Sequence, residues 1–80
     1  MTAATNDTVI DLRGLKCPLP ALRTRRVLMR LPPGALLVVE CTDPLAEIDI
    51  PNLLRETGDA LEGLKWDNDV LVFRIRKRGK

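Results

Sequence analysis

The sequence predicts an α+β domain: a two-layer α/β sandwich of order βαβαββ, with a four-stranded mixed sheet and two helices on one face. Three observations predict it. Apolar runs at Val9-Ile10-Asp11-Leu12, Ala35 to Cys41 and Val70 to Arg76 have strand character, and the first two are separated by a stretch of helical periodicity. Prolines and glycines punctuate the joints between these runs. Eighty residues suffice for one core and no second domain, since a chain this short buries roughly 60–65% of its unfolded surface.

Residues 1–8 are small and polar and read as a tail, residues 9–77 as the folded domain, and residues 78–80 as a basic C-terminal extension. The first strand, Val9 to Leu12, is bounded by Gly14. Cys17-Pro18-Leu19-Pro20 follows, and prolines are tolerated where a helix begins because the first amides lack intrahelical partners. The spacing predicts a helix over about Pro18 to Leu31. Ala21, Thr24, Val27, Leu28 and Leu31 share its inward arc, and Arg23, Arg26 and Arg30 lie opposite. Pro32-Pro33-Gly34 ends it.

The second strand, Ala35 to Cys41, is apolar except for Glu40, so alternation turns Leu37, Val39 and Cys41 inward. Asp43-Pro44 turns the chain, and a second helix is expected over about Ile50 to Thr57, with Asp49 as N-cap and Gly58 as C-terminal stop. Leu64 and Trp66 suggest a third strand and Asp67-Asn68-Asp69 a tight turn. In the fourth strand Leu71, Phe73 and Ile75 alternate with wet positions. The first two strands should be parallel, which brings Cys17, Cys41 and Asp43 to one edge of the sheet.

Composition excludes several chemistries. Histidine and tyrosine are absent, which removes Cys-His and Ser-His nucleophile pairs, and two cysteines alone cannot complete a tetrahedral metal site. No metal and no cofactor is expected. There is no apolar run of about 18 residues and no export-type start, so no membrane partner and a cytoplasmic location are expected. Two cysteines in such a chain should stay thiols. The net charge of +2 is too small to argue nucleic-acid binding, although basic residues cluster early and at the C-terminus.

The candidate nucleophile is Cys17. A thiol does sulfur chemistry as its thiolate, and a free cysteine with pKa ~8.5 is mostly protonated near neutrality. The helix start, with Arg13 and Lys16 just upstream, is expected to raise the ionised fraction modestly, because a helix dipole contributes only ~0.3–1 kcal/mol. Pro18 and Pro20 stiffen that start. With no base beside it, the thiol suits a carrier whose partners supply the rest of the chemistry, rather than a stand-alone enzyme. The plainer reading is that Cys17 is a small buried apolar residue.

Cys41 reads as a core residue, with a bridge to Cys17 possible only if their Cα atoms lie within ~7 Å. Asp43 and Asp49 read as turn and cap residues before they read as an acid/base or metal pair. Arg23, Arg26 and Arg30 form a stripe beginning one turn from Cys17, suited to docking acidic surfaces on partners. Trp66 and Phe73 are expected to pack, leaving no stacking platform, so direct nucleic-acid binding is not expected. The alternative function class is nevertheless a non-catalytic regulatory or nucleic-acid-binding module using the basic surface. A thiol redox protein ranks lower, for want of a Cys-x-x-Cys pair.

Asp11-Leu12-Arg13-Gly14-Leu15-Lys16-Cys17-Pro18-Leu19-Pro20 resembles the CPxP signature region of the TusA/SirA-like sulfur carrier proteins. Asp43-Pro44 with Asp49-Ile50-Pro51 resembles their second motif, and the similarity runs from about Val9 to Lys77. The resemblance implies that Cys17 carries sulfane sulfur as a persulfide. It further implies a cysteine desulfurase or rhodanese-type donor and a downstream acceptor protein, in tRNA thiolation, molybdenum cofactor assembly or sulfur metabolism. One departure stands out: many members carry histidine shortly after the glycine matching Gly58, where this chain has Asp59.

Overall fold

The computed structural model of the chain describes residues 7–79. Its elements are β1 (Thr8–Leu12), α1 (Leu19–Leu28), β2 (Leu36–Cys41), α2 (Ala46–Thr57), β3 (Ala60–Asp67) and β4 (Val70–Arg76). The strands form one mixed sheet in the order β1-β2-β4-β3. Strands β1 and β2 are parallel, while β4 runs antiparallel to both β2 and β3. The expected βαβαββ sandwich is therefore the fold observed.

Period-two alternation decides which side of the sheet is covered. Leu37, Val39 and Cys41 of β2 and Leu71, Phe73 and Ile75 of β4 are fully buried. They pack in one cluster with Leu28 of α1 and with Ala46, Ile50 and Leu54 of α2. Each large side chain so buried is worth roughly 1.5–3 kcal/mol of transfer free energy, which makes this cluster the main source of stability.

Helix α1 stops earlier than the periodicity implies. After Leu28 the amides of Arg30 and Leu31 bond to the carbonyls three residues back, at Val27 and Leu28, so the chain tightens before Pro32-Pro33. Thr24 faces inward as expected, and among the described residues its Oγ1 is the buried side-chain polar atom without a hydrogen-bond partner. Pro20 is buried beside it.

Helix α2 departs further from expectation, beginning at Ala46 rather than near Ile50. Asp43 is the reason: its Oδ1 accepts the Leu45 N–H at 3.0 Å and its carbonyl accepts the Ala46 N–H at 3.0 Å. The start is thus organised one turn earlier than Pro51 suggested. Asp49 is consequently a residue of the first helical turn, where a carboxylate suits the helix dipole, and not the N-cap. Gly58 ends the helix at φ 86°, the left-handed geometry that glycine adopts without penalty.

At the far edge, β3 overhangs the helical layer. Trp66 stands opposite Leu71 on the covered face, yet it remains 44% exposed, so it does not pack as Phe73 does. Residues 1–6 of the expected N-terminal tail lie outside the described residues, and Thr8 already belongs to β1. At the other end Arg78 is tied down: its N–H donates to Asp59 Oδ1 at 2.8 Å and its guanidinium to the Thr57 carbonyl at 3.3 Å. Asp59 is buried and anchors the chain beyond β4.

Candidate functional site

The site is assembled where β1 and β2 end. Gly14, at φ 87°, turns the chain after β1 and donates its N–H to Thr42 Oγ1 at 2.9 Å. Cys17 comes next, joined to Pro18 by a cis peptide bond, and donates its backbone N–H to Asp43 Oδ2 at 2.5 Å. Asp43 therefore clamps two loops at once. One carboxylate oxygen holds the Cys17 amide and the other holds the start of α2. Both bonds keep the Asp43 carboxyl below its ordinary range, the Leu45 amide contributing most and the Cys17 amide next.

The Cys17 thiol is exposed and donates to Asp49 Oδ2 at 2.7 Å. That contact reverses the expected electrostatics. The hydrogen bond to Asp49, partial desolvation and the negative charges of Asp49 and Asp43 push the Cys17 thiol above its ordinary value, so the resting form is the protonated one. The helix start offers less help than its position suggested. Pro18 and Pro20 have no N–H, and Leu19 gives its own to the Lys16 carbonyl at 2.8 Å. Arg13 spends its guanidinium on Asp11, at 2.8 and 3.0 Å, holding that carboxyl down at about 2. The Lys16 charge bears on Asp43, where it favours the carboxylate.

Cys17 opens into a shallow groove of about 290 Å³ between the two helices, lined by Pro18, Leu22 and Arg25 of the α1 side and by Asp49 and Glu56 of α2. Leu22 and Arg25 also border a second depression of about 530 Å³ along α1, with Arg26, Met29 and Arg30. Of the three arginines singled out for docking, Arg26 and Arg30 lie on this strip, while Arg23 is exposed off it. Leu22, which lines both depressions, is 55% exposed, and Met29, farther along α1, is 72% exposed.

Sequence reasoning missed two residues that the structure brings to the thiol. Asp49 reads as a cap from sequence because Pro51 has the character of a first-turn residue, whereas α2 in fact begins at Ala46. Arg25 was passed over, although Pro18, Leu22 and Arg25 are spaced as one helical face and that spacing was available. Cys41, by contrast, is fully buried and free of any disulfide, its thiol pushed up to about 11 chiefly by burial. The C-terminal basic residues are partly spoken for: Arg76 pairs with Glu62 and donates to the Gly34 carbonyl, and Arg78 holds Thr57. Among the described residues no cluster of three or more His, Cys, Asp or Glu could hold a metal ion, and no helix is long and apolar enough to cross a membrane.

Comparison with known proteins converges with this geometry. Residues 8–77 match the family model for sulfurtransferase TusA. The chain is 36% identical to the sulfur carrier protein TusA of Pseudomonas putida, with 98% of each chain aligned. It is 35% identical to the sulfur carrier protein TusA of Allochromatium vinosum, over 89% of this chain and 93% of that one. Its fold matches the crystal structure of a SirA-like protein from Desulfitobacterium hafniense with a TM-score of 0.78 and 25% identity, over 89% of this chain and 97% of that one. Because the family match spans every strand and both helices and the relatives align over nearly their full length, the chain belongs to the TusA family.

Proposed function

We propose that this protein is a sulfur carrier that cycles Cys17 between thiol and persulfide. The observation that carries this reading is the placement of the Cys17 thiol. It is solvent-exposed at the mouth of the groove between α1 and α2, held by hydrogen bonds, in a chain of the TusA family. Nucleophilic sulfur at Cys17 attacks the outer sulfur of a donor persulfide, and the donor thiolate leaves. The sulfane sulfur then sits on Cys17 for an acceptor thiol or activated acceptor to take. A sulfur carrier of this kind needs a donor and an acceptor, and a cysteine desulfurase or rhodanese-type enzyme fits as donor. A cytoplasmic setting suits a thiol that has to stay reduced between cycles.

The groove beside Cys17 is open and shallow, about 290 Å³, which favours selection by protein docking. The exposed strip of Leu22 and Met29 among Arg25, Arg26 and Arg30 supplies an apolar contact ringed by cations, and Arg23 extends the positive field on the same helix. Such a surface steers acidic partner faces toward the thiol. Incubation with a cysteine desulfurase and cysteine, followed by intact mass spectrometry, tests the central reading. The expected result is one added sulfur per chain, removed by reductant and absent in Cys17→Ser. Sulfur that appears equally in Cys17→Ser would refute it.

A further inference from the structure

We infer that Asp49 is the proton partner of Cys17: its carboxylate holds the resting thiol and takes the thiol proton as the sulfur becomes a nucleophile. The inference rests on the carrier reading and adds a catalytic group to it. Two geometric observations carry it. Asp49 Oδ2 lies 2.7 Å from Cys17 Sγ, within proton-transfer reach, and Asp43 Oδ2 fixes the Cys17 backbone 2.5 Å from its own oxygen, so the sulfur is held against Asp49. The chain has no histidine, so no imidazole can take that proton.

The other charged groups near the sulfur do not replace Asp49. Glu56 and Arg25 line the same groove, but neither is hydrogen-bonded to the thiol. Asp43 spends both carboxylate oxygens on backbone amides, and the Lys16 charge bears on Asp43. The upward push on the Cys17 thiol agrees with the geometry, the Asp49 hydrogen bond being its largest cause.

The step balances without an oxidant. The Cys17 proton passes to Asp49 Oδ2 as the Cys17 sulfur forms a bond to the outer, protonated sulfur of the donor persulfide. The donor S–S bond breaks with its electron pair left on the inner sulfur, and that thiolate recovers the proton from Asp49. The products are the Cys17 persulfide and the donor thiol, with the sulfane sulfur unchanged in oxidation state. At rest the same contact keeps the thiol protonated, which slows its reaction with stray electrophiles and oxidants.

The test is a pair of rates on Asp49→Asn, which preserves side-chain size and hydrogen bonding but removes the charge. Alkylation of Cys17 by iodoacetamide near neutral pH should rise roughly three- to tenfold, with its pH profile moved to lower pH. Sulfur loading from glutathione persulfide, followed by intact mass, should instead fall by about tenfold or more, because the leaving donor thiolate takes its proton from Asp49 and iodide, the leaving group in alkylation, needs none. Asp49→Glu should restore part of both. A purely structural role for Asp49 would slow or spare both rates together, so an unmoved alkylation profile, or loading that is not slowed, overturns the inference. Failure of the wild-type chain to take up sulfur at all would instead reject the carrier reading. The alkylation profile would still decide whether Asp49 holds the thiol.

Discussion

The two cysteines sit at the same end of the sheet, and the fold treats them in opposite ways. Cys41 closes β2 opposite Leu71 and beside Leu12, with no exposed surface, and burial first, with the Asp43 charge second, pushes its thiol up to about 11. Cys17 lies on the loop that docks against the end of β2, open to solvent, with its amide on Asp43 and its sulfur on Asp49. Both thiols are disfavoured as anions, but for different reasons. At Cys41 the cause is a dry surrounding that no partner can relieve without unfolding. At Cys17 it is a hydrogen bond to one carboxylate at an exposed site, which partner binding or a proton transfer can rearrange. On the proposed reading, the carrier thiol differs from the packing thiol by access and by a hydrogen bond to a carboxylate, and not by a low resting pKa.

The largest test of this contrast is reagent access. In the native protein, iodoacetamide should modify Cys17 faster than Cys41 by on the order of a hundredfold or more, because Cys41 reacts only through opening of the core. Peptide mapping by mass spectrometry reads the ratio, and comparable rates would erase the distinction. The Cys17 rate should also keep rising with pH beyond the range where an ordinary peptide thiol levels off, since its ionised form is disfavoured.

A smaller effect separates packing from chemistry. Cys41→Ser places a hydroxyl in an apolar cluster with no partner, and should cost about 1–3 kcal/mol of stability by denaturant unfolding. Sulfur loading at Cys17 should be unchanged under conditions where the variant stays folded. A loss of loading in that folded variant would give Cys41 a part in the reaction.

The smallest effect concerns the surface alone. Reversing the charge of Arg26 and Arg30 should slow transfer from an acidic donor by roughly three- to tenfold at low salt and much less at high salt, with stability barely altered. Equal rates at both salt concentrations would remove these arginines from docking.

Much of the architecture was legible along the chain because it depends on local periodicity and punctuation. Alternation in β2 and β4 named Leu37, Val39, Cys41, Leu71, Phe73 and Ile75 as inward, and each is fully buried. The glycine after α2 marked its end correctly. The start of α2 is not legible in the sequence because Pro51 carries a strong first-turn preference, while the hydrogen bonds that set the start at Ala46 come from the less conspicuous Asp43. Trp66 looked like a packing residue on alternation alone, and its exposure follows from β3 lying at the sheet edge, a matter of strand order.

By itself, then, the sequence determined the element order, the inward faces, the absence of an imidazole base and the position of Cys17 just ahead of a helix. Only the tertiary structure decided what surrounds that sulfur. Asp43 and Asp49 are separated from Cys17 by 26 and 32 residues, and no local pattern reports a contact across such a distance. The parallel pairing of β1 with β2 brings the loops together, and the early start of α2 turns Asp49 toward the thiol. Local propensity specifies what each segment becomes, whereas the charge environment of a side chain is set by which segments the sheet places side by side.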